Sequence, residues 1–185
     1  MGEPGTKEVL SLDQLEAVSG MRTGRKHILS ILVENKPGVL TRIAGLFARR
    51  GFNIDTLAVG PTEDERVSRI TLTLDGGVHP IDQVTKQLHK LVNVLKIRDL
   101  EPDETLSREL ALFKIAADGA ARTEVMQICD IFRAKIVDVT RRSVIAEITG
   151  TCDKVDAFEA LVRPFGLIEM ARTGEIAIAR GRGET

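Results

Sequence analysis

The residues best suited to chemistry in this sequence surround one helix entrance, Asn35-Lys36-Pro37-Gly38-Val39-Leu40, and include Asn53 further along. The first N–H groups of a helix have no partner within it, and the helix dipole leaves about half a positive charge there. Such an entrance can bind a carboxylate without an arginine, and Gly38 lets a ligand approach the backbone. The amides of Asn35 and Asn53 both donate and accept hydrogen bonds, which suits an amino acid zwitterion. An ordinary turn explains the same residues, so both interpretations stay open here.

A strand and an amphipathic helix must position this loop. The apolar run His27–Val33 predicts the strand. Pro37 disfavours helical geometry at Lys36, so the helix is expected to begin after the loop and to end at Gly51. The i, i+3, i+4, i+7 spacing predicts a buried helix face made of Leu40, Ile43, Ala44 and Phe47.

The rest of the first half predicts a sheet with one covered face. Ile70, Leu72 and Leu74 alternate with Arg69, Thr71 and Thr73, as in a strand that buries one side. The predicted elements are a strand at Asn53–Val59, a turn at Pro61–Glu65, a strand at Arg66–Asp75 ended by Gly76-Gly77, a helix opened by Pro80 with Ile81, Val84, Leu88 and Leu91 on its face, and a strand at Val94–Leu100.

The second half repeats this order. It predicts a strand at Leu110–Ala116, a helix at Thr123–Arg133 with Val125, Ile128, Cys129 and Phe132 on its face, a hairpin of Ile136–Val139 and Ser143–Thr149, a helix capped by Asp153 that carries Val155, Phe158, Leu161 and Val162, and a last strand or pair of strands at Leu167–Ala179 around Gly174. Two tandem βαββαβ units of the α+β class follow, each with two helices on one face of a sheet.

Only the first unit has the features of a small-ligand site. The corresponding loop of the second unit, Ala117–Ala121, has no asparagine and no Pro-Gly pair. By elimination, the second unit is interpreted as a coupling or docking module. The predicted division is an N-terminal extension at 1–25, a first domain at 26–101, a linker at 102–107 and a second domain at 108–185.

Composition narrows the function classes. The chain has 185 residues, 43% of them apolar, which is enough for two small cores, and its net charge of -1 argues against a nucleic-acid or anionic-membrane surface. No window approaches the length of a membrane span. Residues 1–25 contain acidic residues and lack a signal-peptide core, so we do not expect a targeting signal there. A short amphipathic helix and a partly disordered tail both stay open for this segment.

The reactive side chains are dispersed. Cys129 and Cys152 lack CxxC spacing and are interpreted as reduced residues in or near the core, which predicts a cytoplasmic setting. His27, His79 and His89 have no spacing typical of a metal or acid–base site, and His89 is expected at the surface. We therefore expect no catalysis and no metal site in this chain.

At this point the chain resembles the small regulatory subunit of acetolactate synthase, also called acetohydroxyacid synthase. Five segments carry the resemblance, which covers residues 26 to about 180: Leu32–Leu40, Leu46–Ile54, Lys86–Val92, Ile131–Val139 and Glu169–Gly174. The resemblance implies an N-terminal ACT domain and a C-terminal domain, both with ferredoxin-like topology. Residues 1–25 do not match the family pattern.

The resemblance also implies function and partners. It implies that a branched-chain amino acid such as valine binds to the ACT domain, and that the chain activates a separate catalytic large subunit and makes it subject to feedback inhibition. Thiamine diphosphate, Mg²⁺ and FAD are expected in that large subunit and not in this chain. By position, the family's effector-binding residues correspond to Asn35, Gly38 and Asn53, with Val39, Leu40 and Ile54 beside them. Two ACT domains are expected to pair, so that the loop of one chain faces Asn53 of the other.

Two alternative functions fit parts of the sequence. A stand-alone ACT sensor that acts on another enzyme or on a transcriptional response would need only the first half, whereas the resemblance extends over both. An RNA-binding βαββαβ domain would need stacking aromatic residues on its central strands, and Arg66–Asp75 contains none.

Overall fold

The computed structural model describes residues 26–75 and 80–181. The expectations for the extension at 1–25, for Gly76-Gly77 and for His79 lie outside the described residues, as do positions 182–185.

The first unit is the predicted βαββαβ arrangement. Its elements are β1 (Lys26–Glu34), α1 (Val39–Arg50), β2 (Thr56–Pro61), β3 (Val67–Asp75), α2 (Ile81–Leu88) and β4 (Val94–Leu100). They form an antiparallel sheet in the order β2-β3-β1-β4, so that β2 and β4 are its edge strands. Gly51 ends α1 in the left-handed conformation, as the sequence predicts.

The buried face of α1 differs from the prediction. Leu40 is 42% exposed and Ala44 is also exposed, while Val39 and Leu46 join Ile43 and Phe47 in the core. Both sets fit a helical spacing and share Ile43 and Phe47, so the sequence pattern alone did not fix the rotation of the helix.

The second predicted strand begins later than expected. Asn53 and Ile54 belong to the connection after α1, and β2 pairs with β3 only from Thr56, which lies opposite Thr73. The backbone N–H of Asp55 donates to the Thr73 carbonyl (2.9 Å), which fixes the connection to the sheet just before the strand.

The second unit repeats the topology and adds one strand. A 3₁₀ turn at Pro102–Glu104 leads into β5 (Thr105–Ala116), α3 (Gly119–Phe132), β6 (Lys135–Val139), β7 (Ser143–Gly150), α4 (Cys152–Val162), β8 (Leu167–Arg172) and β9 (Ile176–Ala179). The sheet order is β6-β7-β5-β8, and β9 pairs with the first part of β5. The expected pair of strands around Gly174 is therefore confirmed.

Two details of α4 are corrected. Thr151, and not Asp153, caps the helix, because its hydroxyl accepts from the Lys154 N–H (3.4 Å) while Asp153 lies within the first turn. Leu161 is 49% exposed, whereas Val155, Phe158 and Val162 are buried. The helix buries a narrower face than the sequence pattern suggests.

The first sheet is covered on both faces, so the prediction of one covered face was wrong. On the side away from the helices, Ser30, Thr71 and Thr73 are each only 2% exposed. The cover is the two-stranded ribbon formed by the start of β5 and by β9, which contacts β1 and β4. Small hydroxyl side chains suit this position because they allow the ribbon to pack closely on the sheet.

Candidate functional site

Asn35 fixes the predicted binding loop to the turn between β2 and β3. Its backbone N–H donates to the Arg66 carbonyl (2.7 Å), and its side-chain Nδ2 donates to the Glu65 carbonyl (2.9 Å). Glu65 and Arg66 lie at the end of the sheet where β1 leaves it, since Glu34 pairs with Val67. Asn35 therefore has a structural role that sequence reasoning did not predict, because its partners are 30 residues away.

Gly38 is set by the backbone at the entrance of α1. It has φ 82° and ψ -4°, a left-handed backbone conformation that residues with a Cβ adopt only at a cost in free energy. A Cβ built on Gly38 would meet nothing within 4 Å, so the space outside the loop is open. Val39 is buried beneath the loop while Leu40 is exposed beside it. The entrance thus combines open backbone with one accessible apolar side chain.

Charges of both signs border the entrance. Glu34 accepts from Asn93 Nδ2 (2.5 Å) and pairs with Lys36 Nζ (3.1 Å), and Arg42 Nη1 donates to Asn93 Oδ1 (2.7 Å). The hydrogen bond from Asn93, followed by that from Lys36, lowers the pKa of the Glu34 carboxyl. Glu34, Arg42 and Asn93 were missed by sequence reasoning, because Asn93 is 59 residues from Glu34 and no local pattern joins them.

Asn53 and Ile54 lie at the other end of α1. Helix α1 has 12 residues, so its ends are about 18 Å apart at 1.5 Å per residue. Asn53 is exposed and its Nδ2 donates to Asp55 Oδ1 (3.3 Å), while Ile54 packs partly against the first core. The cavity that Asn53 borders has a volume of about 10 Å³, room for no more than a water molecule. A single chain therefore does not bring Asn53 and Ile54 together with the Asn35–Leu40 loop.

The helix entrance of the second unit contacts an arginine side chain. Arg122 places its guanidinium against the corresponding loop, where it donates to the carbonyls of Ala117 (2.9 Å) and Thr140 (2.5 Å). Both acceptors are carbonyl oxygens, so Arg122 does not occupy the N–H groups at the start of α3, and a Cβ built on Gly119 would meet nothing within 4 Å. The two entrances therefore differ in their side chains, and the space outside both backbones is open.

A larger apolar groove lies elsewhere. It has a volume of about 340 Å³ and is bordered by β2 and β3 on one side and by the β5–β9 ribbon on the other. None of the six predicted site residues lines it. The groove and the predicted site are therefore separate features of the fold.

The cysteine and histidine side chains of the described residues are spread over both units. Cys129 is buried, Cys152 is partly buried, and neither is in a disulfide. His27 Nδ1 lies 2.9 Å from Asp99 Oδ2, and His89 is exposed at the end of α2. In the part of the chain that the structure describes, no three His, Cys, Asp or Glu side chains are grouped to hold a metal ion.

The helices of residues 26–75 and 80–181 include none with the length and apolar character needed to span a membrane.

Comparison with known proteins covers both units. Residues 29–96 match the family model of the AHAS small subunit-like ACT domain, and residues 108–181 match that of the small subunit of acetolactate synthase. The chain is 48% identical to the acetolactate synthase small subunit of Mycobacterium leprae, over 84% of this chain and 92% of that protein. It is 49% identical to a probable acetolactate synthase small subunit of Archaeoglobus fulgidus, over 84% and 98% of the two chains.

A solved structure is similar throughout. The small subunit of acetolactate synthase from Thermotoga maritima superposes with a TM-score of 0.79 at 43% identity, covering 86% of this chain and 99% of that one. Both units and their order along the chain are thus shared with that protein.

Proposed function

The chain belongs to the acetolactate synthase small-subunit family, and on that basis we propose that it activates a catalytic large subunit and makes it sensitive to valine or another branched-chain amino acid. Membership of this family supports a regulatory role and implies a large subunit as partner. The large subunit is expected to hold thiamine diphosphate, Mg²⁺ and FAD, so the chemistry belongs to the partner. This chain contributes the amino acid site and the contacts that report its occupancy.

One observation carries the proposal: the six predicted site residues lie at opposite ends of the first unit. The strand register shows which ends these are, because Glu34 pairs with Val67 and Pro61 pairs with Ser68. The Asn35–Leu40 loop therefore lies at the Pro61 end of β2, whereas Asn53 and Ile54 lie at its Thr56 end.

A second copy of the chain would join the two halves. Strand β2 is at the edge of its sheet. If two copies pair their β2 strands antiparallel about a two-fold axis, the Thr56 end of one strand lies beside the Pro61 end of the other. Each Asn35–Leu40 loop is then next to the Asn53 region of the partner, which gives two equivalent sites per dimer.

Exposed apolar side chains support this pairing. Leu57 and Val59 on β2 are 38% and 48% exposed, and Leu40 on the neighbouring helix is 42% exposed. Leu57 and Val59 lie opposite the core residues Leu72 and Ile70, so they are on the helix side of the sheet. Together with Leu40 they would form the apolar part of the interface.

The proposed ligand fits the chemistry of the joined halves. The helix entrance at Gly38 would accept the carboxylate, the asparagine side chains would bind the polar groups, and Val39, Leu40 and Ile54 would contact the aliphatic side chain. Burying a valine side chain contributes about 1.5–2 kcal/mol, and each charge-assisted hydrogen bond about 1.5–3 kcal/mol, against the entropy of association. A micromolar to millimolar dissociation constant follows, which suits a sensor of metabolite concentration.

Reconstitution tests the proposal. The chain is mixed with an acetolactate synthase large subunit, and acetolactate formation is measured with and without valine, leucine or isoleucine. The expected result is stimulation by the chain and inhibition of the stimulated rate by at least one of the three amino acids. Absence of both effects would overturn the proposal. Amino acid binding without any effect on the large subunit would instead favour a sensor for another target.

Two variants locate the site. Gly38→Asp puts a carboxylate at the helix entrance, and Asn35→Ala removes the amide. Both are expected to abolish valine inhibition while retaining stimulation of the large subunit. If both kept wild-type valine sensitivity, the residue assignment would be wrong.

A matched control separates charge at the site from backbone strain. Gly119 also has a positive φ of 48° at a helix start, and a Cβ there would meet nothing within 4 Å. Gly119→Asp therefore introduces the same side chain into a similar backbone setting in the second unit. It is expected to keep wild-type valine inhibition.

A further inference from the structure

The two units touch where only a glycine fits. Gly174, in the turn between β8 and β9, has a φ of +75°. A Cβ built on Gly174 would lie 2.9 Å from Thr56 Cβ, 3.3 Å from Thr56 Oγ1 and 3.6 Å from the backbone nitrogen of Leu57. The first of these distances is shorter than carbon atoms tolerate, so the absence of a side chain at Gly174 permits this approach to the head of β2.

On the first unit, the contact is tied to the predicted amino acid site. Thr56 Oγ1 is 2.6 Å from Thr73 Oγ1, and the preceding Asp55 N–H donates to the Thr73 carbonyl (2.9 Å). The Asp55 carboxylate in turn accepts from Asn53 Nδ2 (3.3 Å). Only two residues separate Asn53 from Thr56; Asn53 bonds to Asp55, and both Asp55 and Thr56 bond to Thr73 on β3. A displacement of Asn53 by a ligand would therefore reach Thr56.

On the second unit, the turn is fixed to its own sheet and helix. The Thr173 N–H donates to the Leu110 carbonyl (3.0 Å), and the Leu110 N–H donates to Thr173 Oγ1 (3.1 Å). Arg172 binds the buried Glu109 carboxylate with two hydrogen bonds (2.9 and 2.6 Å) and also reaches Asp156 on α4 (2.6 Å). Movement of the turn would therefore move β5 and α4 with it.

We propose that the Thr56–Gly174 contact is the joint through which amino acid binding at the first unit repositions the second. The inference rests on the proposed function. Gly174 has no side chain and the Thr56 side chain is held by its hydrogen bond to Thr73, so no flexible side chain lies at the contact to absorb a shift. Gly174 acts as a positioning residue, because it would transmit displacement through its direct contact with Thr56.

Gly174→Ala tests the joint by adding one methyl group at the contact. The full-length chain is titrated with valine by calorimetry, and the reconstituted enzyme is titrated with valine by its rate. The variant is expected to bind valine within about threefold of the wild-type Kd while the inhibition by saturating valine falls at least about fivefold, the size of a coupling near 1 kcal/mol. Binding and inhibition are thus expected to separate.

Two further variants separate the effect of backbone strain from the effect of the collision with Thr56. Gly181 has a φ of +73°, and a Cβ there would meet nothing within 4 Å, so Gly181→Ala adds the same methyl group without a collision. It should behave as wild type in both titrations. Thr56→Gly removes the atoms that the new methyl group would strike, so Gly174→Ala with Thr56→Gly is expected to recover more inhibition than Gly174→Ala alone.

The outcomes are separable. Wild-type inhibition in Gly174→Ala overturns the joint and leaves the proposed function intact. Equal losses of valine binding and of inhibition also overturn it, since the contact would then merely support the binding site. A wild-type chain with no amino acid effect overturns the proposed function, and the joint with it.

Discussion

Removal of Arg172 is predicted to destabilise the second unit strongly. The Glu109 side chain is only 2% exposed, and its carboxylate accepts hydrogen bonds from Arg172 Nε (2.9 Å) and Nη2 (2.6 Å) in a bidentate ion pair. The hydrogen bonds that Arg172 donates to Glu109 raise the pKa of its guanidinium above the ordinary value. In Arg172→Met this buried carboxylate loses its charged partner, a change that costs about 3–5 kcal/mol. Because 21% of the Arg172 side chain is exposed, water can partly replace it, and we expect the lower end, about 3 kcal/mol.

Urea unfolding at pH 7, followed by circular dichroism, measures this loss. The double variant Arg172→Met with Glu109→Leu removes both charges and is expected to recover most of the stability, since an apolar pair of similar size replaces the ion pair. Arg163→Met is the control: its side chain is 56% exposed and pairs with Glu159 one helical turn away, so a loss of about 0.3–0.5 kcal/mol is expected. If Arg172→Met unfolded within about 1 kcal/mol of wild type, or the double variant were as unstable as the single one, the unpaired Glu109 carboxylate would not be the source of the instability.

The pKa values of two carboxyl groups and the reactivity of the two thiols allow three more tests. Burial raises the pKa of the Glu175 carboxyl, so the folded state holds a proton that the unfolded state releases, and the free energy of unfolding should fall as the pH rises from 4.5 toward that raised value. In Glu175→Gln this pH dependence should disappear from urea titrations, and an unchanged dependence would contradict the assignment. Arg66 holds the pKa of Asp64 at about 2, so any stability from this pair is present above the ordinary pKa of 3.8 and is lost as the pH falls toward 2. NMR titration should show the Asp64 midpoint returning toward 3.8 in Arg66→Gln, and a midpoint that stayed near 2 would exclude the Arg66 side chain as the cause. Burial raises the pKa of both thiols, so iodoacetamide should label Cys152, the more exposed thiol, before Cys129 in the folded chain, and both faster in urea; the opposite order by mass spectrometry would contradict the burial described here.

The order of helices and strands was predictable because each of them has its own local sequence pattern. Alternation in Arg66–Asp75 and the break at Gly51 required no knowledge of distant residues, and the structure has the corresponding strand and helix end. The rotation of α1 was not predictable in the same way. Val39 and Leu46 can replace Leu40 and Ala44 without changing the helical period, and only packing against the sheet selects between them.

The remaining features depend on contacts between distant positions. Arg172 pairs with Glu109 across 63 residues, and Asn35 bonds to the turn 30 residues away. The cover on the first sheet comes from β9, near the other end of the chain, so Thr71 and Thr73 could only be interpreted as solvent-facing from sequence. The candidate site could be proposed from sequence because its glycine and asparagines form a recognisable local pattern, whereas no local pattern joins Thr56 to Gly174.

The proposed amino acid site is shared between two chains, and this sharing can be tested by mixing two variants. Dimers of Asn35→Ala alone and of Asn53→Ala alone would each have a defect in every site, whereas a mixed dimer would have one intact site and one with both defects. After the two variants are unfolded and refolded together in equal amounts, about half of the dimers are mixed, so roughly a quarter of all sites should be intact. Calorimetry with valine should then show no wild-type binding for either variant alone and wild-type affinity at roughly a quarter of the sites in the mixture. A mixture that binds no better than the separate variants would contradict the shared site.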